Sequence, residues 1–155
     1  MKKLLSILFV LIITSCSKEV PSDQLVERNG VYYEVNSQTG FTGTSISYDS
    51  NGHLLEKTTY KNGKYDGTRE VYWENGKLMM RETYKNGKRD GISETYYKNG
   101  KLLLKSSYKD GEPDGVWETY YENGKVEMRY SEKEGERWSE LYEYSYTQKK
   151  PTTVE

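Results

Sequence analysis

The chain repeats itself every 24 residues, and this period constrains its fold more than any other feature. The stretch Lys61–Leu78 is followed by close copies at 85–102 and 109–126, and a degenerate copy precedes it. A fixed period of this length is typical of repeat proteins, in which each unit is one supersecondary element that depends on its neighbours. The sequence therefore predicts a stack of similar units.

Each unit is predicted to be a β-hairpin. Two runs of strand length flank an Asn-Gly pair, the dipeptide favoured in two-residue type I′ turns. These pairs are Asn51-Gly52, Asn75-Gly76, Asn99-Gly100 and Asn123-Gly124. The region from Asn62-Gly63 to Asp66-Gly67, with its copies, is expected to form a wider link between hairpins. The predicted fold is all-β: an elongated, single, twisted antiparallel sheet of tandem hairpins.

The composition fits a thin sheet with both faces partly wet. Apolar residues make up 34 % of the chain and charged residues 30 %, whereas globular domains usually contain about 45–50 % apolar residues. The 16 tyrosines combine an apolar ring with a polar tip. Tyrosines at equivalent repeat positions are expected to form cross-strand ladders that stabilise the sheet.

The N-terminus has the features of a secretory signal. Met1-Lys2-Lys3 is positively charged, Leu4–Ile13 is almost entirely apolar, and small residues follow. The apolar run is too short to span a membrane. The segment Ile13–Cys16 resembles the bacterial lipobox, which implies cleavage after residue 15 and lipidation of Cys16, the only cysteine. An ordinary cleaved signal with an incidental thiol is the alternative.

Four regions are predicted along the chain. Residues 1–15 are the lipoprotein signal peptide, 16–30 the lipidated cysteine and a flexible tether, 31–146 the repeat domain, and 147–155 a disordered tail. Ser17 after the cysteine is compatible with sorting to the outer membrane. The expected location is the bacterial cell envelope.

The repeat pattern resembles the bacterial variant of the MORN (membrane occupation and recognition nexus) repeat, found in proteins labelled as toxin–antitoxin antitoxins. The matching residues are Tyr84, Asn86, Gly87, Lys88, Gly91, Tyr96, Tyr97, Asn99, Gly100, Lys101 and Leu102. The resemblance covers about residues 40–146. It implies hairpin repeats, protein–protein contacts and membrane association, and it implies no catalytic residues.

The sequence offers little catalytic chemistry. The single histidine, His53, lies beside a turn, without a second histidine that would complete a metal site or a nearby cysteine nucleophile. No metal site and no cofactor are predicted. The repeated Asp66, Asp90 and Asp114 indicate turn chemistry rather than calcium binding. The repeated Glu70, Glu94 and Glu118 allow acid–base pairs, but a row of carboxylates paired with lysine or arginine is favoured.

Aromatic residues form the candidate binding surface. Its members are Tyr72, Trp73, Tyr96, Tyr97, Trp117, Tyr120, Tyr121 and Trp138. Stacking on a peptide, glycan or nucleic acid is one interpretation, and stabilisation of the sheet is the favoured one. Trp117 stands where other repeats have Arg69 and Ser93. The net charge of −1 argues against nucleic acid as a partner.

Two functions are therefore considered. The first is a membrane-anchored, non-enzymatic envelope lipoprotein that acts as a scaffold and binds a protein partner. The second is an antitoxin-like or immunity-type protein that neutralises a toxin by binding it, which requires the toxin to be exported. An envelope enzyme is a third and disfavoured hypothesis.

Overall fold

The computed structural model describes residues 18–133 and the backbone of 136–138. One short 3₁₀ helix, Ser22–Gln24, follows the first strand. The strands are, in chain order, β1 (Glu19–Pro21), β2 (Leu25–Arg28), β3 (Val31–Glu34), β4 (Gly43–Tyr48), β5 (Leu54–Lys61), β6 (Lys64–Tyr72), β7 (Leu78–Lys85), β8 (Lys88–Tyr96), β9 (Leu102–Lys109), β10 (Glu112–Pro113), β11 (Gly115–Tyr120), β12 (Val126–Lys133) and β13 (Glu136–Trp138).

The strands form one long sheet and one small hairpin, which confirms the predicted all-β fold of hairpin repeats. The main sheet has the order β1-β4-β5-β6-β7-β8-β9-β11-β12-β13, and β10 pairs with β9. Every neighbouring pair from β4 onward is antiparallel, and only β1 pairs in parallel, with β4. β2 and β3 form a separate hairpin. Sequence neighbours therefore pair throughout the repeats, as expected of a meander.

The two kinds of turn are the reverse of those predicted. Asn62 and Gly63 have φ values of 51° and 76° and form the whole connection between β5 and β6. Two positive φ values in a two-residue loop define a type I′ turn. At Asn75-Gly76 only the glycine has a positive φ, and its N–H donates to Trp73 O at 2.8 Å. That hydrogen bond closes a type I turn that ends in a glycine bulge, a longer loop than predicted.

The predicted wide link between hairpins is also replaced by regular structure. Gly67 lies inside β6, opposite Tyr84, and does not terminate a strand. Its φ is +119°, and a Cβ placed there would lie 3.0 Å from the Cβ of Thr59. Gly67 thus marks an irregularity in the β5–β6 ladder, where close contact between neighbouring strands excludes a side chain.

The predicted flexible tether is corrected by the structure from residue 18 onward. Glu19–Pro21 adds to the main sheet, with Val20 opposite Ser45. Val20 is buried and packs in a cluster with Phe41 and Tyr60. The segment has no repeat period, but an edge strand needs only backbone hydrogen bonds and one buried apolar side chain. Residues 1–17 and 139–155, which include Cys16 and the predicted tail, lie outside the described residues.

The hydrophobic core is small, as the composition predicts. Among the described residues, three hydrophobic residues are buried: Val20, Phe41 and Tyr60. Tyr32 of the β2–β3 hairpin stacks on Tyr65 with a centroid distance of 5.5 Å. The separate hairpin therefore covers one end of the sheet, while the remaining repeats depend on ladders of side chains across neighbouring strands.

Candidate functional site

One face of the sheet bears a row of alternating charges, and we call it the charged face. Paired positions on successive strands place these residues side by side: Lys57, Glu70, Arg81, Glu94, Lys105, Glu118 and Arg129. Arg81 lies between two carboxylates, with Nε 3.0 Å from Glu70 and Nη1 3.9 Å from Glu94. The repeated glutamates are therefore paired with basic residues, as predicted.

Tyr72, Tyr96 and Tyr120 also lie on the charged face. The hydroxyl of Tyr72 donates to Glu70 at 2.8 Å, and Tyr96 and Tyr120 repeat this contact with their own glutamates. Burial, together with the hydrogen bond to Glu70, raises the pKa of Tyr72 to about 12. Because each of these hydroxyls donates to a glutamate of the charged face, this tyrosine ladder stabilises the sheet.

The opposite face has an apolar stripe along the edge formed by the longer turns. Because neighbours along a strand point to opposite faces, Trp73, Tyr97 and Tyr121 face away from the tyrosines that precede them. Met79 and Leu103 lie between these rings, at bulges in the ladder. We call the five residues the aromatic stripe. A groove of about 440 Å³ in it is lined by Trp73, Met79, Met80, Thr95, Tyr96, Tyr97, Lys98, Leu103 and Glu122.

Trp117 belongs to a third group, nearer the type I′ turns. Its ring lies 5.6 Å from Tyr108 and stacks on Tyr130 at 5.8 Å with an interplanar angle of 16°. The side chain of Trp138 is outside the described residues. The candidate surface predicted from the sequence is thus divided between the two faces: Tyr72, Tyr96 and Tyr120 lie on the charged face, and Trp73, Tyr97 and Tyr121 lie in the aromatic stripe.

A buried ionic network, which sequence reasoning missed, lies on the same face as the aromatic stripe. Glu82 is 1 % exposed. It accepts from Arg69 Nη1 at 3.1 Å and from Tyr84 at 3.0 Å, and Arg89 Nη2 lies 2.7 Å from its other oxygen. Arg69 also forms two hydrogen bonds with Glu56, at 3.0 and 2.8 Å.

The contact with Arg69 favours the ionised form of Glu56. Burial acts against the charge of Glu56, but the hydrogen bonds from Arg69 hold the pKa of Glu56 below its ordinary value.

The sequence carries one signal of this ionic network, a departure from the repeat. Serine occupies the position of Arg69 in two other units, and Ser106 stands one period after Glu82.

The repeats themselves decide the family. The model of the MORN repeat variant matches this chain in four segments: residues 41–62, 65–86, 89–110 and 113–131. These segments cover more than half of the chain. The chain belongs to the MORN repeat variant family. MORN repeats are in general a non-catalytic, protein-interaction module. No curated protein matches the chain.

Successive MORN repeats are also joined through the repeated aspartates. Asp66 Oδ2 accepts from the backbone N–H of Asn86 at 3.1 Å, and Asp90 receives the corresponding bond from Asp110 at 3.4 Å. Asp90 also forms an ion pair with Lys109 at 2.9 Å. Asp66 and Asp90 therefore fix two of the type I′ turns to the preceding repeat, and Thr42 Oγ1 accepts the corresponding bond from Asn62 at 2.9 Å.

The described MORN repeats contain no cluster of metal-ligating side chains. Residues 18–133 hold no group of three or more histidine, cysteine, aspartate or glutamate side chains suited to a metal ion. His53 is exposed and contacts Asp49 at 2.9 Å, as a turn residue. In the same described part of the chain, no helix has the length and apolar character needed to cross a membrane.

Proposed function

We propose that this MORN repeat protein is a lipid-anchored, non-enzymatic interaction module of the bacterial cell envelope, with the outer membrane as the expected location. The observation that supports the anchor is the segment Ile13–Cys16, which begins at the last residue of the apolar run Leu4–Ile13. Acyl chains contribute about 0.8 kcal/mol per buried methylene, and two or more chains anchor a protein stably. The thiol of Cys16 would hold this anchor.

The start of β1 indicates how the anchor would position the sheet. Glu19, the first residue of β1, is three residues after Cys16. Three extended residues span at most about 10 Å. In this proposal the β1–β4 edge of the sheet is held next to the bilayer, and the repeats extend from it.

The long sheet supports the binding half of the proposal. MORN repeats generally bind proteins, and this chain presents a charged face and an aromatic stripe that run along several repeats. The charge row is internally paired, with Arg81 between Glu70 and Glu94. The aromatic stripe leaves apolar side chains partly exposed, Tyr121 by 42 %. A protein partner is therefore expected on the stripe.

An immunity-type role is the second candidate. The similarity of the repeats to those of proteins labelled as antitoxins favours it. The predicted export of the chain restricts it to a toxin that is itself exported. A toxin-like reading frame next to the gene would favour this role, and normal growth after deletion of the gene would count against it.

Metabolic labelling with palmitate tests the anchor. We expect the wild-type protein to incorporate label and Cys16→Ala to incorporate none, because the thiol is the acceptor. Ser6→Ala keeps the apolar run and should be labelled like the wild type. An unlabelled wild-type protein, or label retained by Cys16→Ala, would contradict the proposal.

A further inference from the structure

The aromatic stripe has a regular spacing along the sheet. Trp73, Tyr97 and Tyr121 occupy the same position in three successive repeats. They follow β6, β8 and β11, and one strand lies between each pair of these strands. Because neighbouring strands are about 4.7–4.9 Å apart, the rings recur about every 9.4–9.8 Å.

Two of the three rings are held in place by their own polar atoms. Trp73 Nε1 donates to the carbonyl of Tyr96 at 3.3 Å, and the Tyr97 hydroxyl donates to the carbonyl of Tyr120 at 2.7 Å. Each acceptor belongs to the next repeat, so each ring leans across the intervening strand. A ligand therefore meets rings that are already ordered, which lowers the entropic cost of binding.

The groove between the rings is apolar at its base and charged at its margins. Met79, Met80 and Leu103 line it. Lys98 lies at its rim, with Nζ 5.4 Å from the centre of the Trp73 ring. The exposed Glu122 also lines it. The groove therefore offers a cationic donor, Lys98, near the Trp73 ring and an acidic side chain, Glu122, beside Tyr121.

The spacing matches one peptide conformation. A polyproline II helix repeats every three residues and rises about 3.1 Å per residue, which gives about 9.3 Å per turn. We infer that the aromatic stripe binds a proline-rich segment of a partner protein, in the polyproline II conformation and running across the strands. Prolines would pack between successive rings, and Lys98 would donate to a carbonyl of the segment. This inference rests on the proposed interaction function.

The acidic residues near the aromatic stripe indicate the composition and the direction of the bound proline-rich segment. Glu122 lines the groove, and Glu127 takes the bulge position in β12 that Met79 and Leu103 take in β7 and β9. Burial raises the pKa of the Tyr97 hydroxyl, and these two carboxylates raise it further. A basic residue at one end of the segment would pair with these carboxylates. The segment would therefore run with its basic end toward Tyr121 and its neutral, proline-rich part over Trp73 and Tyr97.

Two other ligands fit less well. A peptide in an extended strand repeats its side chains about every 6.6–6.8 Å, which does not match the rings. A glycan needs hydrogen-bonding partners for its hydroxyls, but Trp73 Nε1 and the Tyr97 hydroxyl already bond to backbone carbonyls. The apolar groove base favours proline rings.

Fluorescence anisotropy with a labelled peptide tests the inference. The probe is a peptide of about twelve residues with proline at every third position and one terminal arginine, added to the full-length chain in detergent. Leu103→Lys places a charge in the groove and should weaken binding about tenfold or more. Ile92→Lys is the matched control, since Ile92 is 43 % exposed on the charged face. It should bind like the wild type.

Each outcome decides the inference. Binding that is lost only in Leu103→Lys supports it. No binding of the peptide, equal binding by both variants, or binding of a β-linked oligosaccharide in place of the peptide overturns it. If a cellular partner is recovered and its capture does not depend on Leu103, the interaction function stands and the proline-rich ligand is excluded.

Discussion

Replacing Glu82 by alanine should lower the free energy of unfolding by about 2–3 kcal/mol, because it removes the buried carboxylate shared by Arg69, Arg89 and the Tyr84 hydroxyl. Glu82 is 1 % exposed and lies between Arg69 and Arg89, at 3.1 and 2.7 Å. Both arginines are partly exposed and Arg69 keeps its two hydrogen bonds to Glu56, so the loss is smaller than that for a fully buried ion pair. Urea denaturation followed by tryptophan fluorescence measures the change.

The chain offers a matched control for this substitution. Arg69 pairs with Glu82 across β6 and β7, and Ser93 pairs with Ser106 at the equivalent positions one repeat later. The double variant Arg69→Ser/Glu82→Ser copies that neutral pair and should recover part of the loss, because the ion pairs of Glu56 and Arg89 with these two residues stay broken. A change below about 0.5 kcal/mol for Glu82→Ala would show that the network does not stabilise the sheet.

Replacing Gly63 by alanine should also destabilise the fold strongly, by about 2–5 kcal/mol, through backbone strain and overpacking. Its φ of +76° costs an L-residue roughly 1–2 kcal/mol. The new Cβ would also clash with Val31 Cγ1 and lie 2.7 Å from the carbonyl oxygen of Tyr32. Such overpacking typically costs about 1–3 kcal/mol more. The β2–β3 hairpin would be displaced, and the backbone amide of Tyr32, which donates to Gly63 O, should exchange its hydrogen faster.

Gly76→Ala isolates the contribution of the clash. Gly76 has a φ of +75°, almost the same as Gly63, but a Cβ added to Gly76 would have nothing within 4 Å. Gly76→Ala should lower the free energy of unfolding by only about 1–2 kcal/mol. Equal losses in both variants would mean that the β2–β3 hairpin does not pack tightly on the turn at Gly63.

The repeat period was sufficient to predict the hairpins and the order of the sheet, but not the assignment of its turns. Asn62-Gly63 and Asn75-Gly76 are the same dipeptide. Which one forms the two-residue turn depends on where the strands end, and strand ends are set by cross-strand pairing rather than by the dipeptide itself. For the same reason the sequence predicts a link at Gly67, which lies inside β6.

The candidate site was predictable only in part. Tyr72 and Trp73 are neighbours, so strand alternation alone places them on opposite faces. The sequence prediction places them on one surface because it groups residues by their aromatic character alone. The ionic network required knowledge of register, since Arg69 and Glu82 are far apart in sequence and become neighbours only across β6 and β7. Val20 illustrates a further limit, because a short edge strand leaves no periodic pattern to detect.

The most direct test of the interaction function is site-specific photo-crosslinking in living cells that produce the chain naturally. A photoreactive side chain replaces Leu103 in the aromatic stripe in one strain and Ile92 on the charged face in another. We predict a discrete protein adduct from position 103 that is absent from position 92. No adduct at 103, or the same adducts at both positions, would contradict binding of a protein partner through the stripe.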